Sequence, residues 1–571
     1  MTAAVLRKSF QLLKDPVLRR WLIGRLSGRC PKAPPFAAFR PPYLQGLLPL
    51  VEEAPAGPSS PLSHKHPETP IRLPLPGETI TLSSGEEGAV FERSFADIET
   101  LLGLHRFAWL PLMGVSADPA WVNVLWRAWA KRFAKPNSDW PWHPYTAAER
   151  AINILRFGRR HGLPGPAEET LSLLAAHGPA IAEQLEYFGE HHTSNHLANN
   201  GRGLFILGLE LGLPVCADLG GQILIDEAKR IFLPSGMLRE GSSHYHLLLT
   251  RGYASAWLAA RAHDRPETGD LESIARRAVA VLPRLALPGG FPLVGDVSPD
   301  CPPDHLCGLM RDGDPASGWS GLLDEKERKA LRSLCKTVAP VSLDLLAGDG
   351  WIRSGLGPWQ GLWHAAPGGW SHMPGHGHQD CGGFELHYGD EPVFRDPGRG
   401  AYGEDGGAAL YRSAPMHNTL IVDGKDPYPP NKPYYDEAFR CRVCGPPPAF
   451  ETGDGRVALR HSGFSRFKDV GEVVRRWRFT ERSFTLTDRV EGRGRHVVSR
   501  FLHSPLAMEK TPEGMVVKGS KGTYRISAEG SLVLSEVTHW HSYGSGHTAS
   551  TLRIDNTVNL PWESAIAVEA C

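Results

Sequence analysis

Histidine and aspartate side chains cluster between residues 371 and 424, among glycines and short apolar runs. His376 and His378 are two positions apart, so they would share one face of an extended strand. Asp396 follows the run PVFR and opens a DPG turn, which leaves its carboxylate at a strand end. Two imidazoles and a carboxylate form a donor set that suits Zn²⁺ or a similar divalent ion. The alternative is that scattered histidines only cap loops, but the density of the cluster favours a functional site.

Two further groups of polar residues lie in the first half of the chain. Asn195 and His196 precede an amphipathic run, where an amide and an imidazole beside a helix start can hold an anionic group. Ordinary helix capping by Thr193, Ser194 or Asn195 explains the same pattern equally well. Downstream, Glu240 and Tyr245 fall in GMLREGSSHYH, although a lone tyrosine is usually a core or interface residue.

The segment WPWHPYTAAERAINIL carries Trp142, His143 and Arg150. Aromatic rings and a guanidinium can line a saccharide groove. Packing around the start of a helix explains these residues about as well.

Composition excludes several classes of protein. Lys+Arg and Asp+Glu are equal at 62 each, so the formal charge is zero and no basic excess suggests a nucleic-acid partner. No stretch approaches the length of a transmembrane span. The 9 cysteines form no dense framework and are expected to be free thiols. Cys441 and Cys444 form a single CxxC with no second pair at zinc-ribbon spacing, which makes a metal or redox role there a minor alternative.

Hydrophobic periodicity divides the chain into three parts. Residues 1–90 comprise a basic N-terminal helix and a proline-rich arm with a few short strands. Residues 91–345 show many consecutive amphipathic helical segments separated by Gly or Pro, typical of an (α/α) incomplete toroid. Residues 346–571 contain short alternating apolar runs between Gly, Asp and Asn turns, which predicts an antiparallel β-sandwich. The predicted fold is therefore α+β and multidomain, with the cleft between toroid and sandwich as the site.

The first 29 residues are basic and amphipathic but lack the apolar core and cleavage site of a signal peptide. We expect this helix to dock on the body of the protein. The alternatives are a peripheral membrane contact and a homodimer interface.

Several motifs together resemble the heparinase II/III-like family of polysaccharide lyases, which includes heparinases II and III and oligoalginate lyases. The matching segments are GHGHQDCGGFEL, EPVFRDPG, YRSAPMHNTLIVDG, SNHLANNGRGLFILGLEL and EGSSHYH. Their order and spacing agree across about residues 90–560, whereas the first 85 residues have no clear counterpart. The family architecture is the toroid and antiparallel sheets already predicted from the pattern.

The resemblance implies β-elimination at a uronic acid within an acidic poly- or oligosaccharide, with removal of the C5 proton and loss of the 4-O leaving group. Asn195 would neutralise the substrate carboxylate, and His196 would be a second neutraliser or the base. Tyr245 would act as base, acid or both, and a phenol base needs a lowered pKa. His376 would reach across the cleft as a second acid/base or carboxylate contact. Further predicted substrate-binding residues are Trp142, His143, Arg150, Arg202, Arg239, Glu240 and His417, and Arg251 adds to a locally basic cleft.

The resemblance also implies a structural zinc ion, bound by His378, Asp396 and His461, with His417 as the rival third ligand. No organic cofactor is expected. Such a metal would brace the wall of the β-domain rather than perform chemistry.

Two other functions remain open from the sequence. One is a metal-dependent hydrolase in which the His/Asp cluster activates water. The other is a non-catalytic glycan-binding or envelope-assembly protein that retains the lyase fold. The absence of a signal peptide favours a cytoplasmic location, whereas the family analogy favours the periplasm or cell envelope.

Overall fold

The computed structural model describes residues 12–13, 15–30, 41–44, 66–189, 193–512 and 514–571. A hairpin and a helical region come first, followed by antiparallel sheets. The helical region is the predicted incomplete toroid. The start of the predicted basic N-terminal helix and most of the proline-rich arm lie outside the described residues.

The helices of the first 350 residues are α1 (Pro16–Leu26), α2 (Ile98–His105), α3 (Trp109–Met113), α4 (Pro119–Phe133), α5 (Pro144–His161), α6 (Ala167–Ala175), α7 (His177–Glu183), α8 (Asn195–Leu211), α9 (Pro214–Ile231), α10 (Ser243–Ala262), α11 (Thr268–Leu285), α12 (Gly318–Gly321), α13 (Glu325–Thr337) and α14 (Leu343–Gly348). The hairpin strands are β1 (Ile71–Leu75) and β2 (Glu78–Leu82).

Close packing between α8 and α9 depends on small residues. A Cβ added to Gly220 in α9 would lie 2.3 Å from the backbone nitrogen of Phe205 in α8. The two helix backbones therefore approach each other directly, which fixes the helix that carries Asn195. Leu204, Leu207 and Ile223 of the same pair are fully buried in the core of the toroid.

The strands of the second half are β3 (Trp351–Leu356), β4 (Trp359–His364), β5 (Gly383–Tyr388), β6 (Glu391–Phe394), β7 (Leu420–Val422), β8 (Ala449–Gly453), β9 (Arg456–His461), β10 (Val470–Phe479), β11 (Ser483–Gly492), β12 (Arg495–Ser504), β13 (Ala507–Thr511), β14 (Gly514–Lys518), β15 (Thr523–Ala528), β16 (Ser531–Ser542), β17 (Ser545–Asn559) and β18 (Trp562–Ala570). Helices α15 (Gly406–Leu410) and α16 (Glu437–Cys444) lie in loops between them.

These strands form antiparallel sheets in the orders β3-β4-β5-β6, β16-β17-β12-β7 and β13-β14-β15-β18-β11-β10-β9-β8. Aromatic side chains fill the space between the sheets: the rings of Trp363 in β4 and Trp477 in β10 are 5.8 Å apart. Strands β5 and β6 form an antiparallel hairpin, joined by Gly389 at φ 60° and Asp390. Asp396 lies two residues beyond β6, at the strand end as expected.

The N-terminal helix α1 packs on the β half of the protein. Trp21 is buried, with its ring 4.5 Å from that of Tyr434 and 6.1 Å from that of Tyr435. Docking on the protein's own body is therefore confirmed for α1, whereas a membrane contact or a dimer through it stays a prediction. All nine cysteines are free. No helix in the described ranges is long and apolar enough to cross a membrane.

Replacing Trp21 with alanine is expected to release α1 from the sheets. Removal of a buried tryptophan costs about 3–5 kcal/mol, and here the loss falls on the docking of one terminal helix. Limited proteolysis or amide hydrogen exchange of α1 would then accelerate while the protection of the toroid is unchanged. Ile23→Ala is the matched control, because Ile23 is 65% exposed on the same helix. Equal rates in wild type and Trp21→Ala would contradict the docked position.

Candidate active site

Asn195 is the first residue of α8, and the Glu240 carboxylate lies beside it. Glu240 is fully buried, and its Oε1 accepts the Asn195 backbone N–H at 2.8 Å while its Oε2 accepts Asn195 Nδ2 at 2.6 Å. The prediction that this helix start holds an anion is met by a side chain of the protein itself. Ser194 is at the N-cap position but makes no capping bond with its side chain. Glu240 therefore orients Asn195 and does not face a substrate.

A single buried carboxylate, Asp296, organises the residues from the β half. Its Oδ2 accepts His376 Nδ1 at 3.0 Å, and its Oδ1 accepts His378 Nε2 at 2.9 Å and Arg399 Nη1 at 2.9 Å. Burial raises the pKa of Asp296, but the hydrogen bonds from the two histidines outweigh this effect and hold the pKa well below its usual range. Asp296 is therefore an anion that fixes the positions of three side chains.

Backbone contacts bring Asp296 and His376 together. The Asp296 N–H donates to the His376 carbonyl at 2.9 Å, and the His376 N–H donates to the Glu240 carbonyl at 2.7 Å. Gly295 has φ 81°, and a Cβ there would lie 2.5 Å from the Gly241 carbonyl oxygen. Only glycine fits this crossing of two segments. His376 and His378 share one partner, as their spacing predicted, although they lie in a loop and not in a strand.

Tyr245 lies in the first turn of α10 and stacks on His376. The Ser242 side chain caps this helix by accepting the Tyr245 N–H at 3.1 Å. The rings of Tyr245 and His376 are 3.5 Å apart at their centroids and inclined by only 11°. Their stacking fixes the phenol of the toroid against the imidazole of the β half.

Tyr402 is the partner of the Tyr245 hydroxyl. The two phenolic oxygens share a short hydrogen bond. Tyr402 is itself held by the β16–β17 turn, because its N–H donates to the Tyr543 hydroxyl at 3.1 Å. The Tyr543 hydroxyl in turn donates to Asp97 of the helical region at 2.7 Å. A chain of phenols thus connects the two halves of the protein beside His376.

The pKa of Tyr245 differs from the value expected of a phenol base. Burial and the nearby charge of Asp300 raise the pKa of Tyr245 well above its ordinary value, although the bond from Tyr402 lowers it. The expectation of a lowered pKa is therefore wrong for the protein without substrate. Tyr245 is a neutral hydrogen-bond donor at neutral pH, which suits an acid better than a base.

His196 carries a positive charge next to Asn195. Its Nδ1 is 2.7 Å from Glu186 Oε1, and its ring is 4.9 Å from that of Tyr145. Burial lowers the pKa of His196, but the charge and hydrogen bond of Glu186 outweigh it and raise the pKa to about 9. His143 is near the same Glu186 carboxylate, because its Nε2 is 3.6 Å from Glu186 Oε1. His196 is consequently protonated at neutral pH and able to attract an anion.

The prediction of a saccharide groove at Trp142 and Arg150 is wrong, because both side chains are completely buried. Trp142 donates to the Phe133 carbonyl at 2.7 Å, and the Arg150 guanidinium lies 5.1 Å from the Trp142 ring. Arg150 also bonds to His177 at 3.0 Å. Core packing at the start of α5 therefore explains this motif.

Other predicted substrate contacts are engaged within the protein. Arg202 forms hydrogen bonds of 2.9 and 3.3 Å with the Glu149 carboxylate, and it lines a cavity that Asn195 also lines. Arg239 donates to the Thr193 carbonyl at 2.7 Å and so holds the loop before α8. His417 is fully buried and bonds to Asp396 at 2.6 Å. The His143 side chain is 30% exposed.

The predicted metal ligands do not assemble as a trio. His378 faces Asp296, Asp396 faces His417, and His461 Nδ1 accepts the Gly463 N–H at 3.3 Å among aromatic neighbours. No group of three or more His, Cys, Asp or Glu side chains that could hold one metal ion occurs in the described ranges. The rival ligand His417 lies nearer, since its ring is 5.2 Å from that of His378. The set His378, Asp396 and His461 does not fit a zinc ion in this structure.

Sequence reasoning missed Asp296, Tyr402 and Glu186. Asp296 follows the apolar run FPLVG, and Tyr402 follows the glycines of DPGRGAYG. An acidic residue after a Gly at the end of an apolar run is the signal that could have indicated Asp296. The hydrogen bonds that give these two residues their roles join segments far apart in the chain: Asp296 bonds to His376, and Tyr402 bonds to Tyr245.

Comparisons with known proteins agree with this architecture. Over 84% of this chain and 78% of the other, the fold is similar to a crystal structure of heparinase III at 18% identity, with a TM-score of 0.61. A heparan sulfate lyase from Pedobacter heparinus covers the same shares at 18% identity, with a TM-score of 0.50. A second heparinase III structure aligns at 17% identity over 84% of this chain and 80% of its own, with a TM-score of 0.53. No curated protein sequence matches the chain.

The fold is thus an α-helical toroid followed by antiparallel β-sheets, as predicted and as in these solved structures. Residues 344–566 match the family model described as Heparinase II/III-like, C-terminal. This part of the chain is similar to heparinase II/III-like C-terminal domains, and the resemblance drawn from the motifs within it is confirmed.

The raised pKa of His196 predicts a pH dependence of stability. The ion pair with Glu186 contributes its full stabilisation below about pH 6.5, the ordinary His pKa, and loses it as the pH rises through about 9. The His196 side chain is 43% exposed, so we expect no more than about 1 kcal/mol. Thermal unfolding of wild type and His196→Gln should therefore converge between pH 6.5 and pH 9.5. A constant difference for His196→Gln would contradict the assignment.

Proposed function

We propose that the protein is a polysaccharide lyase that cleaves an acidic, uronate-containing poly- or oligosaccharide by β-elimination. The observation that carries the proposal is the contact chain from Asp296 through His376 to Asn195, stacked against Tyr245. The fold shared with heparinase III supports it as well. In this reaction a base removes the C5 proton, an acid protonates the 4-oxygen that leaves, and positive groups stabilise the charge on the carboxylate.

His376 is the proposed base. Its Nδ1 is bonded to Asp296, and Asn195 Nδ2 approaches its Nε2 at 3.3 Å. With the Nδ1 proton held by Asp296, Nε2 carries the lone pair, which here accepts an Asn195 amide hydrogen. If Asn195 turns this hydrogen to the substrate carboxylate, the lone pair is freed to accept the C5 proton. The Asp296 carboxylate then stabilises the imidazolium that forms, as in other His–Asp pairs.

Tyr245 is the proposed acid. Its phenol is neutral because burial raises its pKa, and its ring lies against the proposed base. The hydroxyl can donate its proton to the departing 4-oxygen, while the hydrogen bond from Tyr402 stabilises the phenolate left behind. The proton taken by His376 and the proton given by Tyr245 balance over one turnover after exchange with solvent.

His196 and Asn195 are the proposed carboxylate neutralisers. The imidazolium of His196 lies one residue along α8 from the Asn195 amide, at the positive end of the helix dipole. A carboxylate bound by these groups lowers the cost of the charge that develops on loss of the C5 proton. His196 is assigned this role rather than that of base because its pKa is raised to about 9.

A panel of heparan, hyaluronan, alginate and bacterial capsule polymers and their oligomers tests the proposal. Ultraviolet absorbance of a new unsaturated uronate is the expected signal. Saturated products would contradict elimination. Binding without turnover across the panel would instead support the non-catalytic glycan-binding function.

A structural zinc ion stays a proposal, with altered ligands. Its support is that His378 Nδ1 and His417 Nε2 are buried and have no hydrogen-bond partner in the part of the chain that is described. These two nitrogens are the atoms that a metal would bind, and His461 would not take part. Elemental analysis of purified protein tests this proposal. Stoichiometric zinc in wild type that is lost in His417→Ala would support the site, and a wild-type protein without zinc would contradict it.

A further inference from the structure

A second polar cavity lies inside the toroid, beside the residues of the proposed active site. Its cavity volume is about 30 Å³. Its lining includes Arg106, Asn153, Arg156, Arg251, Asp300 and His305. Asp300 connects it to the active site, because this carboxylate accepts the Tyr145 hydroxyl, whose ring contacts His196.

The charges around this cavity do not balance. Arg106 pairs with Asp300 at 2.8 Å and with Glu99 at 3.4 Å. The third carboxylate, Glu149, is held by Arg202 through two hydrogen bonds. Four arginines, Arg106, Arg156, Arg202 and Arg251, therefore share three carboxylates. A buried guanidinium without its own carboxylate is costly unless another anion or water meets it.

Arg251 is one of two arginines at this cavity that have no close carboxylate of their own. Its nearest carboxylate oxygen is Glu149 Oε1 at 4.0 Å, which Arg202 approaches at 2.9 Å. Arg251 is buried, and its Nε has no hydrogen-bond partner within the described residues. The Nε–H of Arg251 is therefore a buried donor that a ligand could satisfy.

Arg156 is the second arginine without a close carboxylate of its own. Its Nη2 donates to Ser255 Oγ at 2.5 Å, and its guanidinium lies 5.8 Å from the Trp319 ring. It forms no salt bridge with a described carboxylate within 4.0 Å. Burial and repulsion from Arg202 and Arg251 lower its pKa to about 9, which reflects the excess of positive charge. An anion between Arg156 and Arg251 would remove this excess.

We infer that this cavity is an oxyanion site, in which Arg156 and Arg251 bind a sulfate, phosphate or carboxylate group. Guanidinium forks match the paired oxygens of such groups, and the apolar wall formed by Pro111, Leu306 and Trp319 excludes water from one side. The oxyanion is either a free ion or a substituent of a glycan. The inference concerns binding and does not depend on the lyase chemistry.

Titration of inorganic sulfate into the whole protein tests the site, with chloride at matched ionic strength as the reference. Isothermal titration should give one saturable site, and the melting temperature should rise to a plateau. Arg156→Gln should weaken binding at least about tenfold, since a hydrogen bond to a charged group contributes about 1.5–3 kcal/mol and 1.4 kcal/mol is tenfold in Kd. Arg276→Gln is the matched control, because Arg276 lies on the surface of α11 and pairs with Glu272.

Sulfate also stabilises proteins without binding, through exclusion from their surfaces. That effect does not saturate and would be equal in wild type and Arg156→Gln. Equal, unsaturable shifts in both proteins would overturn the inference, and the titration of wild type decides the question even if a variant fails to fold. A sulfated uronate disaccharide and its unsulfated form distinguish the source: competition between inorganic sulfate and the sulfated sugar identifies a glycan substituent, and independent binding identifies a free ion.

Discussion

Replacing Tyr245 with phenylalanine is expected to reduce turnover by about 10²–10⁴-fold, the usual contribution of one acid–base group. The substitution removes only the hydroxyl, so the stacking on His376 and the capped first turn of α10 remain. Substrate binding should therefore change little, and loss of the bond to Tyr402 should cost about 1 kcal/mol of stability. Initial rates of unsaturated-uronate formation, together with the binding constant for an oligosaccharide, measure both effects.

Tyr253→Phe is the matched control on the same helix. Tyr253 is buried, and its hydroxyl donates to the Leu224 carbonyl at 3.0 Å. Loss of that bond should cost about 1 kcal/mol of stability without a loss of rate. Full activity of Tyr245→Phe would eliminate the assignment of Tyr245 as the acid.

Replacing Asp296 with asparagine is expected to affect both stability and turnover. Asp296 is the carboxylate partner of Arg399 and bonds to His376 and His378. The amide leaves a buried guanidinium without a counter-charge, which should lower the free energy of unfolding by about 3–5 kcal/mol. It also favours the wrong imidazole tautomer of His376, which should lower turnover by about 10²–10⁴-fold. Chemical denaturation and initial rates measure the two losses.

Asp488→Asn separates the two effects. Asp488 is a buried carboxylate in β11 that pairs with Arg475 at 2.7 Å and is not one of the residues proposed to act on the substrate. The Asp488→Asn variant should lose a similar free energy of unfolding but retain the wild-type turnover rate under conditions where it is folded. A rate for Asp296→Asn that equals that of Asp488→Asn would mean that Asp296 is only structural.

The two halves of the fold were predictable because each depends on local pattern. The helical periodicity after Phe91 predicts the toroid, and the alternating runs after Ala347 predict the sheets. Neither prediction requires the tertiary contacts to be known. The motifs also located Asn195, Tyr245 and His376 in the chain. The structure brings these three together from segments separated by 50 to more than 100 residues.

What the sequence did not reveal are the partners that set protonation. Asp296 and Tyr402 act through contacts between distant segments, so the spacing of residues along the chain does not indicate them. The same reason explains the error at Trp142 and Arg150. A tryptophan and an arginine near a helix start are equally compatible with a groove or a core, and only packing against His177 and Phe133 decides for the core. The direction of the Tyr245 pKa likewise depends on burial and on Asp300.

The most direct test of the central claim is the mass of the products formed in water enriched with heavy oxygen. Elimination adds no water to the cleaved bond, whereas hydrolysis adds one water molecule. If His376 and Tyr245 carry out β-elimination, the new unsaturated end contains no heavy oxygen. In ordinary water the unsaturated fragment and its partner together then have the mass of the substrate. Saturated products that carry heavy oxygen at the cleaved bond would contradict the account.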